Sequence, residues 1–371
     1  MLSVTKNYTN ILLPLSIMIF LLIVFSVLNT FVMVGIAALL LGAGMLLYIC
    51  TLISRKYFYI DYSVLSLLLI LYILVFHVDT EHLGVLIQFI GPVAFLLFAY
   101  MYGNSGFRNV KFIFYAVVAG ATVLGLMVAF TGDLSDKMAV KIIGDVTVNA
   151  NIIAYLFGLG SVVSLYLIVY RPLKHKIFYV LICIFLFALT YLSQSRGALL
   201  SMAAAEFVLI YYAYKQRLRY RNFYGILISI AVLGGLSFFV YYSTVKGTSF
   251  FADNGRFVLW REAIDVWLTK PLAGTGLYQE YGEHFSSHNL LFDALAQTGI
   301  IGFLLILSIL FRVFLNTIKE GKGFFIFAFI EAMIDTKQYY IIFIALSLGI
   351  LAAKVNRLER ANRLLKNRSI Q

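Results

Sequence analysis

Long apolar runs follow one another along the chain, at roughly 11–29, 32–53, 58–77, 83–102, 111–130, 148–170, 177–194, 197–214, 222–242, 288–315, 323–334 and 338–353, broken by short charged or Gly/Asn-containing segments. A helix crosses a bilayer with about 20 predominantly apolar residues. The pattern therefore predicts an all-α polytopic membrane protein of about 12 transmembrane helices, with residues 1–371 forming one integral membrane domain. The eleventh run is short and ends near Glu331 and Asp335, as a re-entrant or tilted segment does. A membrane β-barrel would read instead as short segments alternating apolar and polar.

Composition agrees with the pattern: 62% of the 371 residues are hydrophobic and 12% charged, against about half and about a quarter in soluble domains. An ordinary soluble domain, disorder and nucleic-acid binding are excluded. The net charge of +12 matters through its distribution. With both termini in the cytoplasm (N-in/C-in), Lys137, Lys141, Arg196, Lys246, Arg256, Arg261, Lys270 and Lys337 fall outside and 21 of the 29 lysines and arginines inside, as the positive-inside rule requires. The basic tail 354–371 then reads as an anchor on anionic lipid rather than a nucleic-acid site. Lys6 precedes the first run without a small-residue cleavage site, which reads as a retained signal anchor. Cys50 and Cys183 lie within apolar runs and read as buried thiols.

Most connections are short, but 243–287 forms one long extracytoplasmic loop, where function is expected to concentrate. Asp253-Asn254 offers helix caps. Phe257, Trp260, Ala263, Ile264, Trp267 and Leu268 then recur at helical spacing, which predicts an amphipathic helix over 256–269 able to lie on the membrane surface. Lys270-Pro271 ends it, and 272–276 reads as a flexible turn leading to His288-Asn289 at the mouth of the tenth span.

Three residues on the outer side carry candidate chemistry. Arg196, in Ser193-Gln194-Ser195-Arg196-Gly197-Ala198, is either a ligand-binding cation at membrane depth or an arginine snorkelling to head groups. Arg256 is either a phosphate ligand or a solvated loop charge. Two arginines suit a diphosphate, because each guanidinium makes paired charge-assisted hydrogen bonds and stays charged. His288 is either a general base, its ordinary pKa suiting that role near neutral pH, or an interfacial helix-cap histidine. Arg261 and His284 are rivals; Arg261 lies about half a turn from Arg256, so both cannot face one ligand. Asp79, Glu81 and His82 make only a weak metal pattern, and no metal ion or other cofactor is expected. No phosphate-cradling glycine loop is present and no nucleophile triad assembles. Intramembrane Asp61, Glu206 and Glu331 allow a transporter or flippase reading; the outer Arg and His residues and the lack of an internal repeat oppose it.

Four fragments in order resemble the O-antigen polymerase and O-antigen ligase superfamily: Ser195-Arg196-Gly197-Ala198, Gly255-Arg256 before Trp260, Pro271-Leu272-Ala273-Gly274-Thr275-Gly276, and His288-Asn289-Leu290-Leu291 with Gln297-Thr298-Gly299-Ile300-Ile301-Gly302. They cover roughly 190–305, and Asn149-Ala150-Asn151 is also similar to the family. The resemblance implies a membrane-embedded, GT-C-like, metal-independent inverting glycosyltransferase in the bacterial cytoplasmic membrane, using an undecaprenyl-diphosphate-linked glycan as donor. It implies that Arg196 and Arg256 hold the diphosphate, with Arg261 the weaker match, and that His288 is the catalytic base. The activity expected is polymerisation of O-antigen, capsule or exopolysaccharide repeat units; the alternative is a ligase passing finished glycan to lipid A core or another acceptor. Membrane lipids, a chain-length regulator and a flippase are the expected partners.

Overall fold

The computed structural model describes residues 62–77, 90, 93, 96, 99, 107–131, 139–143, 146–171, 176–216, 255–277, 286–317, 319–334 and 341–354. Expectations for the first two spans, the span at 222–242, Asp61, Asp79, Glu81, His82, Cys50, His284 and the tail beyond Lys354 lie outside them. The described helices are α1 (Tyr62–Phe76), α2 (Phe107–Thr131), α3 (Ala150–Tyr170), α4 (Lys176–Leu192), α5 (Arg196–Gln216), α6 (Arg256–Thr269), α7 (Leu290–Asn316), α8 (Lys322–Ile334) and α9 (Ile341–Lys354). All but α6 coincide with apolar runs. By length and composition, four can cross a membrane: α2 over Val110–Phe130, α3, α5 over Arg196–Lys215, and α7.

Among the described residues, the connection from α2 to α3 departs from the all-α expectation. Two short antiparallel strands, β1 (Ala139–Ile143) and β2 (Val146–Asn149), join α2 to α3, with Val140 opposite Val148 and Lys141 opposite Thr147. Val140, Ile142, Ile143, Val146, Thr147 and Val148 are β-branched, and the two residues between the strands are Gly144-Asp145. β-Branched runs around a two-residue Gly-containing link are a hairpin signal that the search for apolar spans passes over.

α3 is apolar on every side and is enclosed by α2, α4, α5 and α8. Small residues set the approach. A Cβ at Gly160 would lie 2.8 Å from Leu186 on α4, and one at Gly158 would lie 3.3 Å from Phe327 on α8 and 3.4 Å from Met202 on α5. Such glycines let helices approach where lipid supplies no hydrophobic drive. Cys183 lies in the α3–α4 contact, 3.4 Å from Ser161 Oγ, which donates to Glu206 on α5 at 2.7 Å. α8 has 13 residues, about 20 Å of helix against a hydrocarbon core of about 30 Å. It is held against α5 at Gly323 and, through the preceding Gly321, against Gly349 of α9.

Sequential helices run in alternate directions. Phe114 near the start of α2 stacks on Tyr166 near the end of α3 at 5.1 Å, and Lys176 at the start of α4 donates to Ile168 O of α3 at 3.0 Å. Phe325 near the start of α8 lies 5.2 Å from Phe314 near the end of α7. Lys111, Arg171, Lys176, Lys215 and Lys322 consequently gather at one end of the bundle. The starts of α3, α5 and α7 face the other end, and that is where the candidate residues sit.

Candidate functional site

Arg196 is the first residue of α5 and Arg256 the first of α6, while His288 stands two residues before α7. Each candidate is thus at a helix N-terminus, where unpaired amides and the helix dipole favour an anion.

The turn into α5 is built by serines. Ser193 Oγ donates to Thr190 O at 2.7 Å, Ser195 Oγ accepts from Ala198 N at 3.4 Å, and Gln194 between them has a left-handed backbone at φ 58°. Arg196 is half-buried. Gly197 is required by close approach: a Cβ there would lie 2.8 Å from Ile334 Cγ2 of α8 and 3.3 Å from Tyr155 Cζ of α3.

The turn into α7 reaches the same end of α8. Asn289 caps α7, its Oδ1 accepting from Leu291 N at 3.0 Å, and its Nδ2 donates to Met333 O at 3.2 Å. Met333 and Ile334 therefore stand between Gly197 and Asn289, and bring Arg196 and His288 to one locality. His288 is half-buried with φ 58°. The buried carboxylate of Asp293 accepts from Ser286 Oγ at 2.8 Å and Ser287 N at 2.6 Å, and Ser286 Oγ accepts from His288 N at 3.0 Å. Asp293 and Ser286 escaped the reading of the sequence. A carboxylate in the first turn of a span, five residues after a candidate histidine, was the available signal.

α6 forms over the predicted 256–269, but its faces differ from the expectation. Leu259 and Ala263 are buried with Val266 and Trp267 against Ala296 and Phe292 of α7, whereas Phe257, Ile264 and Leu268, expected on one apolar face with Trp260 and Ala263, are exposed. The helix docks on protein along one side, so its apolar residues divide between that side and a second, outward stripe. Trp260 fixes the docking: Nε1 donates to Ser287 O at 3.1 Å and the indole stacks on Phe292 at 5.3 Å. Arg256, one turn before Trp260, is half-buried, and Arg261 is exposed on the outward side. The geometry separates the two arginines: Arg256 lies one turn from the residue that docks α6 on the His288 turn, and Arg261 faces outward.

Two further corrections concern the motifs at 271–276 and 297–302. The span beginning near 288 is not continuous, because α7 breaks at Gly299 (φ 63°, ψ −171°), and 272–276 is not a free turn. Gly276 N donates to Gln297 O at 3.0 Å and Thr275 N to Ala296 O at 3.0 Å, while Ile300 N donates to Pro271 O at 2.9 Å. The broken helix leaves backbone groups that cannot go unsatisfied at membrane depth, and the 271–276 segment supplies their partners. Gly274 (φ 76°) and Gly299 lie so close that a Cβ on either would strike the other's backbone. Tyr72 of α1 closes the joint, its hydroxyl lying 2.8 Å from Thr298 O and 3.1 Å from Ala273 O. Beside it, Leu68, Leu71 and Val75 of α1 and Ile301, Leu304 and Ser308 of α7 line an apolar groove of about 580 Å³.

Asn149 caps α3 by accepting from Asn151 N at 2.9 Å, which accounts for the Asn149-Ala150-Asn151 fragment locally. Glu331 is buried on α8, one turn before Ile334. No curated protein matches the chain. A family model described as O-Antigen ligase matches residues 180–307, which run from α4 into α7 and include Arg196, Arg256 and His288. The match covers about a third of the chain and takes in the motifs at the helix starts and in the joint just described, so this segment is similar to the O-antigen ligase family.

Proposed function

We infer that the chain is a polysaccharide polymerase, joining undecaprenyl-diphosphate-linked repeat units at the outer face of the bacterial cytoplasmic membrane. The reading is supported by the meeting of the turns that carry Arg196 and His288 at the end of α8, through Gly197–Ile334 and Asn289–Met333 contacts, and by the docking of α6, which begins at Arg256, on the His288 turn through Trp260–Ser287. An acceptor hydroxyl attacks the anomeric carbon as His288 takes its proton. The bond from that carbon to the diphosphate oxygen breaks, and the lipid diphosphate leaves with its electron pair, inverting the centre. Arg196 and Arg256, with the amide ends of α5 and α6, stabilise the charge that develops on the leaving oxygen. No step calls for a metal ion. The groove between α1 and α7 suits part of the isoprenoid chain, and α6 is placed to act as a cover over the site.

The second reading is a ligase of the same superfamily, favoured by the description of the matching family model. Deleting the gene and analysing surface glycan together with lipid-linked intermediates separates the two. Single repeat units on the final acceptor are the polymerase result. Full-length chains stranded on the lipid carrier are the ligase result and would overturn the first reading.

A further inference from the structure

The backbone of His288 is left-handed, a conformation that an L-residue with a bulky side chain keeps only when its surroundings hold it there. The holding group is visible. Asp293 is fully buried, and its two oxygens are divided between the two residues that precede His288: Oδ2 takes Ser286 Oγ at 2.8 Å and Oδ1 takes Ser287 N at 2.6 Å. Ser286 Oγ then receives His288 N at 3.0 Å, so a single carboxylate reaches the histidine backbone through one hydroxyl. Both bonds to the carboxyl group are shielded from water. Asn289 independently ties the next residue to α8 through Met333 O. The His288 backbone is therefore fixed from both sides, while the residue as a whole stays half-exposed.

We propose that Asp293 is the positioning residue of His288: its carboxylate, strapped to Ser286 and Ser287, sets the left-handed backbone from which the imidazole projects into the transfer site. The consequence for rate rests on the transfer reading above; the geometry does not. Asp293→Asn keeps the volume and one carbonyl acceptor but replaces the oxygen facing Ser286 or Ser287 with a donor. Ser286→Ala cuts the same strap from the other end and leaves Asp293 in place.

The test uses the full chain purified in lipid nanodiscs, with Asp293→Asn and Ser286→Ala made in the native and the His288→Ala backgrounds. With a polyprenyl-diphosphate-linked repeat unit as substrate, each change in the native background is expected to lower kcat about tenfold or more, within the range a general base contributes. KM for the lipid-linked substrate is expected to stay unchanged, while the lost buried hydrogen bonds lower the melting temperature by a few degrees with or without His288. The two changes together should cost no more than the larger alone, since they cut one strap. In the His288→Ala background neither should cost anything further. Equal losses in both backgrounds, or a loss carried by KM, would overturn the proposal in favour of a general structural role.

A second readout does not depend on turnover: carbethoxylation of His288 by diethyl pyrocarbonate, followed by mass spectrometry on the folded protein. A rate altered severalfold by Asp293→Asn or Ser286→Ala is the expected result, and an unaltered rate overturns the positioning role. An altered rate in a protein that forms no glycosidic bond would sink the transferase reading and leave the positioning intact. Should Asp293→Asn not fold, Ser286→Ala carries both measurements.

Discussion

Two turns lead into the candidate site, and they share a plan. Ser193-Gln194-Ser195 precedes Arg196, and Ser286-Ser287 precedes His288; each turn holds a non-glycine residue at φ 58° immediately before a long apolar helix. They differ in what occupies the left-handed position. In the first turn it is Gln194, exposed and two residues ahead of the cation, with the local bonds made by the flanking serines. In the second it is His288 itself, held by buried Asp293. A left-handed residue can thus serve only to redirect the chain, or it can itself be the residue proposed for the chemistry. The second arrangement needs a buried carboxyl group to maintain it, while the first needs only main-chain and hydroxyl partners.

The largest effect expected on that contrast comes from His288→Ala. Loss of the base should lower polymer formation by about 10²–10⁴-fold with membrane insertion unchanged, measured as product per unit of membrane-inserted protein. Arg196→Ala should cost nearly as much, and Arg196→Lys should fail too, because an ammonium does not reproduce the paired bonds of a guanidinium. Normal product from either arginine variant would remove the first turn from the site.

Next come changes at the joint that supports both turns. Gly299→Ala or Gly274→Ala places a Cβ at a positive φ and against main chain, and should destabilise the protein by about 2–5 kcal/mol, seen as an early thermal transition in detergent. Tyr72→Phe removes the hydroxyl shared by Ala273 O and Thr298 O, and about 1–2 kcal/mol is expected from the same melt. A transition indistinguishable from the native one in the glycine variants would mean that the 271–276 segment does not support the broken α7.

The positions of most described helices were legible, because the apolar runs at 111–130, 148–170, 177–194 and 197–214 are bounded by charges and turns, and α6 announced itself through its caps and spacing. The β1–β2 hairpin was missed, since its apolar residues do not reach span length. The break at Gly299 was hidden for another reason: a glycine within an apolar run reads as helix until the segment that pairs with the freed backbone is known. The 271–276 and 297–302 motifs were visible as motifs, but not as two halves of one joint. Spacing had already set Arg256 apart from Arg261; which of them faces outward depended on the side of α6 that docks on α7, and the Trp260 contacts with Ser287 and Phe292 fix that side. Asp293 looked like an ordinary N-terminal acid, and only its bonds to Ser286 and Ser287 reveal its position behind His288.

The smallest effects are expected away from the reacting groups. Gln194→Gly relieves the left-handed backbone without touching Arg196, and should leave product unchanged and stability within about 1 kcal/mol. Arg261→Lys, on the outward side of α6, should change product less than twofold. A severe loss from Gln194→Gly would show that the two turns are more alike than their side chains suggest.

The most direct measurement supplies the purified chain in nanodiscs with one lipid-linked repeat unit and no other acceptor, and follows the products on a gel. The account predicts a ladder of lengthening chains on the lipid carrier, lost in His288→Ala. Absence of any ladder from the native protein, with the repeat unit returned intact, would contradict it.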